Sequence, residues 1–161
     1  MDVKIKLVMK KSVYLDTTIF SYYVDERSEL GVHIDRTREW WSNERRFYDL
    51  YISNFVTEEL KAKSFPNQVN ALKLTRGIHV LDPIEQIDKI VEIYLKNKLM
   101  PQNDTRDALH LAFTSVYKID ILLTWNCAHL ANVNKKEHIK NINATLGLFL
   151  PEIVTPLELR V

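Results

Sequence analysis

Two short runs of almost entirely apolar residues limit most strongly what this chain can fold into. Residues 12–15 (SVYL) end at Asp16, and residues 120–124 (DILLT) contain three consecutive aliphatic side chains. Runs without polar alternation are typical of strands in a parallel sheet that is covered on both faces. Such a sheet needs helices on both sides, and we therefore expect helical segments between the strands.

The rest of the chain alternates between helical patterns and short apolar runs. Further strands are predicted at residues 51–53, 78–81 and 153–155. Helices are predicted at residues 35–48, 56–63, 67–76, 84–99, 104–117 and 135–148. This alternation with short connections predicts an α/β fold, a three-layer α/β/α sandwich with a central parallel sheet. We expect one domain over residues 1–161, because the chain shows no repeat and no linker.

The composition restricts the classes of function and location. A net charge of +1 means that any contact with nucleic acid must come from a local patch rather than from the whole protein. Cys127 is the single cysteine, so no internal disulfide can form, which fits a reducing cytosol. The first residues hold too short an apolar run for a signal peptide, and no stretch approaches a membrane span. The expectation is a soluble cytoplasmic protein with no membrane contact.

Several carboxylates follow the predicted strands. Asp16 ends the first strand, Glu58 and Glu59 come just after the second, and Asp107 starts the helix that leads into the fourth. In parallel α/β sheets, ligands bind beyond the carboxyl ends of the strands. Carboxylates brought together there repel each other unless a cation neutralises them, and oxygen ligands suit Mg²⁺ or Mn²⁺. Taken one by one, however, each acid is as well explained by helix capping.

Four local motifs change that balance. The segments are residues 13–20 (VYLDTTIF), 52–60 (ISNFVTEEL), 107–112 (DALHLA) and 122–126 (LLTWN). In order and character they resemble the four motifs of PIN-domain nucleases, and more narrowly those of the VapC-type toxins of type II toxin–antitoxin systems. The resemblance spans residues 13 to about 130.

The resemblance implies a metal-dependent endoribonuclease with a PIN fold. Asp16 and Asp107 would be the principal metal ligands, and Glu59 would hold or activate a metal-bound water. Thr17 and Thr124 would provide hydroxyls that orient the carboxylates. The resemblance also implies Mg²⁺ (or Mn²⁺) as cofactor, RNA as substrate, a cognate antitoxin as partner, and a homodimer.

One position departs from the family. Asn126 stands where many PIN nucleases have a fourth acid, so it brings an amide oxygen without a charge. Asp104, one helical turn before Asp107, would supply the missing charge or, more often for such a residue, simply cap the helix. The departure keeps open an alternative from another class, a non-catalytic PIN-fold binding module with a degenerate metal site.

Other enzyme classes fit less well. A strand that ends in Asp16 also describes haloacid-dehalogenase-type phosphatases, but Thr18 stands where they carry a second acid. A response-regulator receiver would need an acidic pair near the first strand. Asp107 and His110 form an Asp-x-x-His pair, but no second such helix completes a di-iron site, so we expect His110 to be packed or hydrogen-bonded.

Aromatic and basic groups offer weaker signals. Tryptophans 40, 41 and 125 are expected in packing rather than on bases, and two basic runs are expected on solvated helix faces. Those runs are Arg36, Arg38, Arg45 and Arg46, and Lys135, Lys136 and Lys140. The charged, aromatic segment 26–44 predicts an exposed helical arm or a surface for a partner.

Overall fold

The strands build one sheet in a computed structural model that describes residues 9–62, 64–101 and 104–161. They are β1 (Ser12–Leu15), β2 (Asp49–Ser53), β3 (His79–Leu81), β4 (Ile121–Leu123) and β5 (Glu152–Val154). Their order is β3-β2-β1-β4-β5, and every neighbouring pair is parallel. The prediction of a central parallel sheet is confirmed, and β1 and β4 are both interior strands of it.

Seven α-helices connect the strands in the described part of the chain. They are α1 (Thr17–Val24), α2 (Gly31–Glu39), α3 (Asn54–Ala62), α4 (Gln68–Leu74), α5 (Glu85–Lys96), α6 (Thr105–Val116) and α7 (Val133–Leu146). Most bounds differ from the predicted ones by one to four residues, as expected for frayed ends. Lys63, the predicted end of the helix at residues 56–63, lies outside the described residues, as do residues 1–8.

The helices form two groups, one for each face of the sheet. Helix α1 packs on α2, α3 and α4, whereas α5 packs on α6. The hydroxyl of Tyr94 in α5 donates to Asn143 Oδ1 in α7 at 2.7 Å, and Asn143 Nδ2 donates to Ser115 in α6 at 3.0 Å. These buried hydrogen bonds connect α5, α6 and α7, which form the second group. The three-layer α/β/α sandwich is therefore confirmed, with Tyr14 of β1 and Phe113 of α6 in its core.

The order of the strands creates a crevice at the centre of the sheet. From β1 the chain runs outward through β2 to β3, and it returns to the other side of β1 for β4 and β5. Where the winding reverses, the loops after two neighbouring strands separate and leave room for a ligand. Asp16 follows β1 and Thr124 follows β4, so both lie at this crevice.

The segment 26–44 is not an exposed arm, which corrects the sequence-based expectation. Helix α2 begins at Gly31, and at Trp40 it changes into a π-helical turn, Trp40–Glu44. Trp40 and Trp41 are buried in the core, as expected for packing tryptophans. Arg36 is also buried, with its guanidinium paired to Glu44 at 2.6 Å, and is therefore not placed on a solvated face.

Within residues 9–62, 64–101 and 104–161, no helix combines the length and apolar character that crossing a bilayer would require.

Candidate active site

A cavity of about 860 Å³ opens at the crevice between β1 and β4. Most of the predicted site residues line it: Asp16, Thr17, Glu59, Asp104, Asp107 and Asn126. They come from four separate regions of the chain, and the parallel sheet brings them to one edge. Thr124 does not line the cavity but reaches it through a hydrogen bond to Asp16.

Asp16 is the most deeply buried of these carboxylates, with 1% of its surface exposed. As N-cap of α1, its Oδ1 accepts hydrogen bonds from the backbone N–H of Thr18 at 2.9 Å and from the Thr18 hydroxyl. Its Oδ2 accepts from the hydroxyl of Thr124. Burial raises the pKa of Asp16, and the charge of Asp107 adds to this, while His110 and the two threonine hydroxyls oppose it. The buried carboxylate is thus held firmly but is short of positive charge.

Glu59 extends from α3 into the cavity and is held by two donors. Its Oε1 contacts the hydroxyl of Thr17 at 2.6 Å and Nε2 of His110 at 2.7 Å. Burial alone would raise the pKa of Glu59, but the hydrogen bonds and charge of His110 outweigh it and the pKa is lowered. Glu58 is exposed and bonds to Asn54 at 3.2 Å, outside this cavity. Of the two neighbouring glutamates, Glu59 is the one at the site.

His110 connects Glu59 to the protein core. The ring is 2% exposed, and its Nδ1 lies 2.8 Å from the hydroxyl of Tyr14, which in turn lies 2.8 Å from Ser53 Oγ. Burial would lower the pKa of His110, yet the bond to Glu59 and the nearby carboxylates raise it. Because both ring nitrogens already have partners, His110 is a hydrogen-bonded histidine, as expected, and not an available metal ligand.

Asp107 lies in the first turn of α6 and is 6% exposed. Its Oδ2 accepts from the amide of Asn126 at 2.7 Å and contacts Nδ1 of His129 at 2.9 Å. Asp104 caps the same helix by accepting from the backbone N–H of Arg106 at 3.3 Å, as the capping interpretation predicted. One oxygen or nitrogen from each of Asp104, Asp107 and His129 lies within 4.8 Å of the other two, close enough to hold an ion.

The donor set and its charge fit a divalent cation. Among the described residues, no lysine or arginine forms an ion pair with Asp16, Glu59 or Asp107, and the only ion-pair partners of these acids are histidines. Buried carboxylates without such a partner are costly unless a cation joins them. Among the described residues, the group whose donor atoms all lie within 4.8 Å of one another is Asp104, Asp107 and His129, and Asp16 and Glu59 line the same cavity outside that group. Carboxylate oxygens are ligands that Mg²⁺ and Mn²⁺ prefer, and the nitrogen of His129 suits Mn²⁺ better than Mg²⁺.

Three residues at the site were not singled out by the sequence analysis. Thr18 supplies two of the hydrogen bonds to Asp16, Tyr14 holds His110, and His129 contacts Asp107. A local signal existed only for Thr18, since an N-cap aspartate accepts from the second or third residue after it.

Comparison with known proteins extends the description of the fold. No protein-family model and no curated protein matches the chain. The solved structures that resemble it include three with TM-scores of 0.54–0.56. The sarcin-ricin-loop-cleaving toxin VapC20 of Mycobacterium tuberculosis is 15% identical, over 73% of this chain and 92% of that one. VapBC2 of Rickettsia felis, solved on a promoter DNA fragment, is 14% identical, over 89% and 97%.

The third, VapBC-1 of nontypeable Haemophilus influenzae, is 20% identical, over 91% of this chain and 98% of that one. At identities this low, the structural similarity establishes the architecture alone. The matches cover nearly the whole of each solved chain. They agree with the parallel five-stranded sheet between helical layers. The chain therefore has the PIN fold.

Proposed function

We propose that this protein is a VapC-like endoribonuclease that hydrolyses phosphodiester bonds in RNA with the help of Mg²⁺ or Mn²⁺. The observation that carries the proposal is the meeting of Asp16, Glu59 and Asp107 in one cavity without a lysine or arginine partner in the described chain. The VapC structures support it, since one of them is described as a toxin that cleaves the sarcin-ricin loop.

Asp16 and Asp107 would hold the cation, with Glu59 beside it. When bound, a divalent ion lowers the pKa of a water molecule and offsets charge on the phosphate. Glu59 Oε1 is occupied by Thr17 and His110, whereas no hydrogen bond from the described residues reaches Oε2. We propose that Oε2 orients the attacking water and accepts its proton, while the bonds from Thr17 and His110 to Oε1 hold the carboxylate in one orientation. Asn126 holds Asp107 in place and adds no charge.

The likeness also suggests partners. Two of the solved neighbours, from R. felis and H. influenzae, are VapBC structures, and a third is a toxin–antitoxin complex from Klebsiella pneumoniae. We propose that a cognate antitoxin restrains this protein, that it forms a homodimer, and that it works in the cytoplasm as a single domain over residues 1–161.

The test is cleavage of total cellular RNA by the purified protein with Mg²⁺, with Mn²⁺ and with EDTA. Three variants, Asp16→Asn, Glu59→Gln and Asp107→Asn, remove one negative charge each. In Glu59→Gln and Asp107→Asn, the amide group can replace the carboxylate oxygen that has no partner among the described residues. The hydrogen-bonded oxygen then stays in place, so we expect the fold to be preserved. Asp35→Asn, an exposed aspartate in α2, is the matched control.

We expect discrete fragments that require metal, and a loss on the order of 100-fold or more in each site variant but not in the control. If the wild type and the variants are equally inert and Mn²⁺ does not bind to the wild type, the proposal of a ribonuclease is wrong. The alternative, a non-catalytic binding module, would then be preferred, because Asn126 already departs from the family at this site.

A further inference from the structure

The cavity extends well beyond the carboxylates. Its volume of about 860 Å³ is far more than a metal ion and one phosphate occupy. The remainder is lined by Ser21, Ser64 and Asn67 and by a set of apolar side chains, which we call the apolar compartment: Tyr22, Val24, Leu60, Phe65 and Pro66. Asp16 caps the start of α1 and Val24 ends it, so the cavity follows this helix. At 1.5 Å per residue, Tyr22 lies about 8 Å along the helix axis from Thr17, a distance that one nucleotide can bridge.

Tyr22 gives this compartment an aromatic wall of fixed orientation. Its ring stacks on Trp125, with centroids 5.7 Å apart and planes 23° apart. The ring of His33 packs edge-on against both, and the indole N–H of Trp125 donates to the hydroxyl of Thr37 at 2.8 Å. Trp125 directly precedes Asn126, so the aromatic wall is built onto the same loop as the carboxylate site.

The chemistry of the compartment favours a base over a second phosphate. A nucleobase presents a flat aromatic face that stacks on tyrosine, whereas the sugar-phosphate backbone is polar and negative. Asp25, Glu26 and Arg27 also line the cavity, and because Arg27 is paired with Asp25 at 2.6 Å, the charge of Glu26 leaves this end net negative. A phosphate would meet repulsion at this end, while an uncharged base would not.

We propose that the apolar compartment takes up one unpaired nucleobase next to the phosphate held at the carboxylates. This proposal rests on the proposed ribonuclease function and adds to it a base-binding role for Tyr22 and the other residues of this compartment. In a duplex the base is paired and stacked, and drawing it into the cavity would add the cost of unpairing. The compartment therefore selects against double-stranded RNA without reading the whole sequence.

The test uses short RNA oligonucleotides that carry 2-aminopurine, whose fluorescence falls when it stacks on an aromatic side chain. Wild-type protein is titrated in EDTA and in Ca²⁺ with single strands and with duplexes of the same sequence. We expect quenching only with single strands, and about 5-fold to 150-fold weaker binding by Tyr22→Ala. Tyr22→Phe keeps the ring and should bind like wild type.

Two further variants separate stacking from misfolding. Phe65→Ala alters the compartment without touching the Tyr22–Trp125 stack and should also weaken binding. Phe47→Ala removes an exposed aromatic ring outside the cavity and should have no effect. Equal binding of duplex and single strand, unchanged binding by both compartment variants, or no binding of any oligonucleotide would overturn the proposal.

A cleavage arm distinguishes this proposal from the ribonuclease function itself. An abasic nucleotide placed beside the cut should reduce wild-type cleavage to the level of Tyr22→Ala. If the cleavage rate is unchanged with the abasic substrate and in both compartment variants, the base site is refuted and the ribonuclease function is retained. Tyr22-dependent quenching without any metal-dependent cleavage would uphold the base site and refute the nuclease.

Discussion

His110→Ala removes the side chain that joins Glu59 to the protein core. The imidazole contacts Glu59 Oε1 at 2.7 Å on one side and the Tyr14 hydroxyl at 2.8 Å on the other, and it is buried. We expect the variant to lose stability, because the Glu59 carboxylate and the Tyr14 hydroxyl each lose a partner. We also expect kcat to fall more than KM changes, because a free Glu59 would still be present but no longer held in one orientation.

The size of the stability loss follows from the burial of the pair. Removing one partner of a buried ion pair costs about 3–5 kcal/mol. The Glu59 side chain keeps 13% of its surface exposed and borders the cavity, so water can rehydrate part of it and the lower end applies, about 3 kcal/mol. For a domain of this length, each kcal/mol lowers Tm by about 2–4 °C, which gives a fall of about 6–12 °C.

The effect should depend on pH in a defined direction. The pKa of His110 is raised on folding, so its contribution is full below the unfolded value of about 6.5 and is lost as pH rises through the folded pKa. The pKa of Glu59 is lowered, so its contribution is full above about 4.3 and is lost as pH falls through the folded pKa. The difference between wild type and variant should be largest between about pH 4.3 and 6.5 and smaller at pH 9.

Urea denaturation of a double-mutant cycle, in EDTA at pH 5.5 and pH 9, measures these quantities. The cycle combines His110→Ala with Glu59→Gln, and we expect a coupling energy of about 1–3 kcal/mol at pH 5.5. His138→Ala in α7 is the control, since it removes an imidazole far from this pair. Additive single effects at both pH values would refute the reasoning that His110 acts through Glu59.

Four further changes test other parts of the structure. Saturating Mn²⁺, at about 100 times its Kd, should add about 2.7 kcal/mol to wild-type stability in calorimetry, and Asp107→Asn should lose most of this gain. Asn126→Asp places a second carboxylate 2.7 Å from Asp107, so in EDTA we expect the free energy of unfolding to fall by about 2–3 kcal/mol. Mn²⁺ should restore more stability to this variant than it adds to the wild type, and equal urea midpoints of the two proteins in EDTA would contradict this. Arg36→Ala leaves Glu44 unpaired and frees the carbonyl of Pro156, so it should cost about 3 kcal/mol and speed proteolysis of the C-terminal residues. Gly147→Ala forces a side chain onto a backbone with φ of 65°, and we expect a loss of about 1 kcal/mol in urea denaturation.

Local signals allowed much of this fold to be predicted. The apolar runs of β1 and β4 indicated strands buried in a parallel sheet, and the structure places both in its interior, paired with each other. Asp16 and Asp107 were found because each stands at a boundary between elements, where the chemistry of strand ends and helix starts is visible in the sequence. Once the parallel sheet was inferred, its topology alone brought these acids to one edge.

The remaining features depend on contacts between distant residues. His110 meets Glu59 across 51 positions and Tyr14 across 96, so no local pattern contains either contact. The burial of Arg36 depends on carbonyls at the far end of the chain, which no helical pattern in residues 26–44 could reveal. Polar residues that look like a solvated face can thus be structural when their partners arrive from elsewhere in the chain.

The hydrogen bonds of the site explain how it can be ordered before a cation binds. In Asp107 and Glu59, one oxygen has two protein partners, and no hydrogen bond from the described residues reaches the other oxygen. Asp16 differs because both of its oxygens accept, yet a carboxylate oxygen with one partner keeps a second lone pair. The protein thus fixes the position of each carboxylate and leaves acceptor capacity for a ligand. Asp16 and Asp107 have no lysine or arginine ion-pair partner among the described residues, so a divalent ion bound at this site should stabilise the protein.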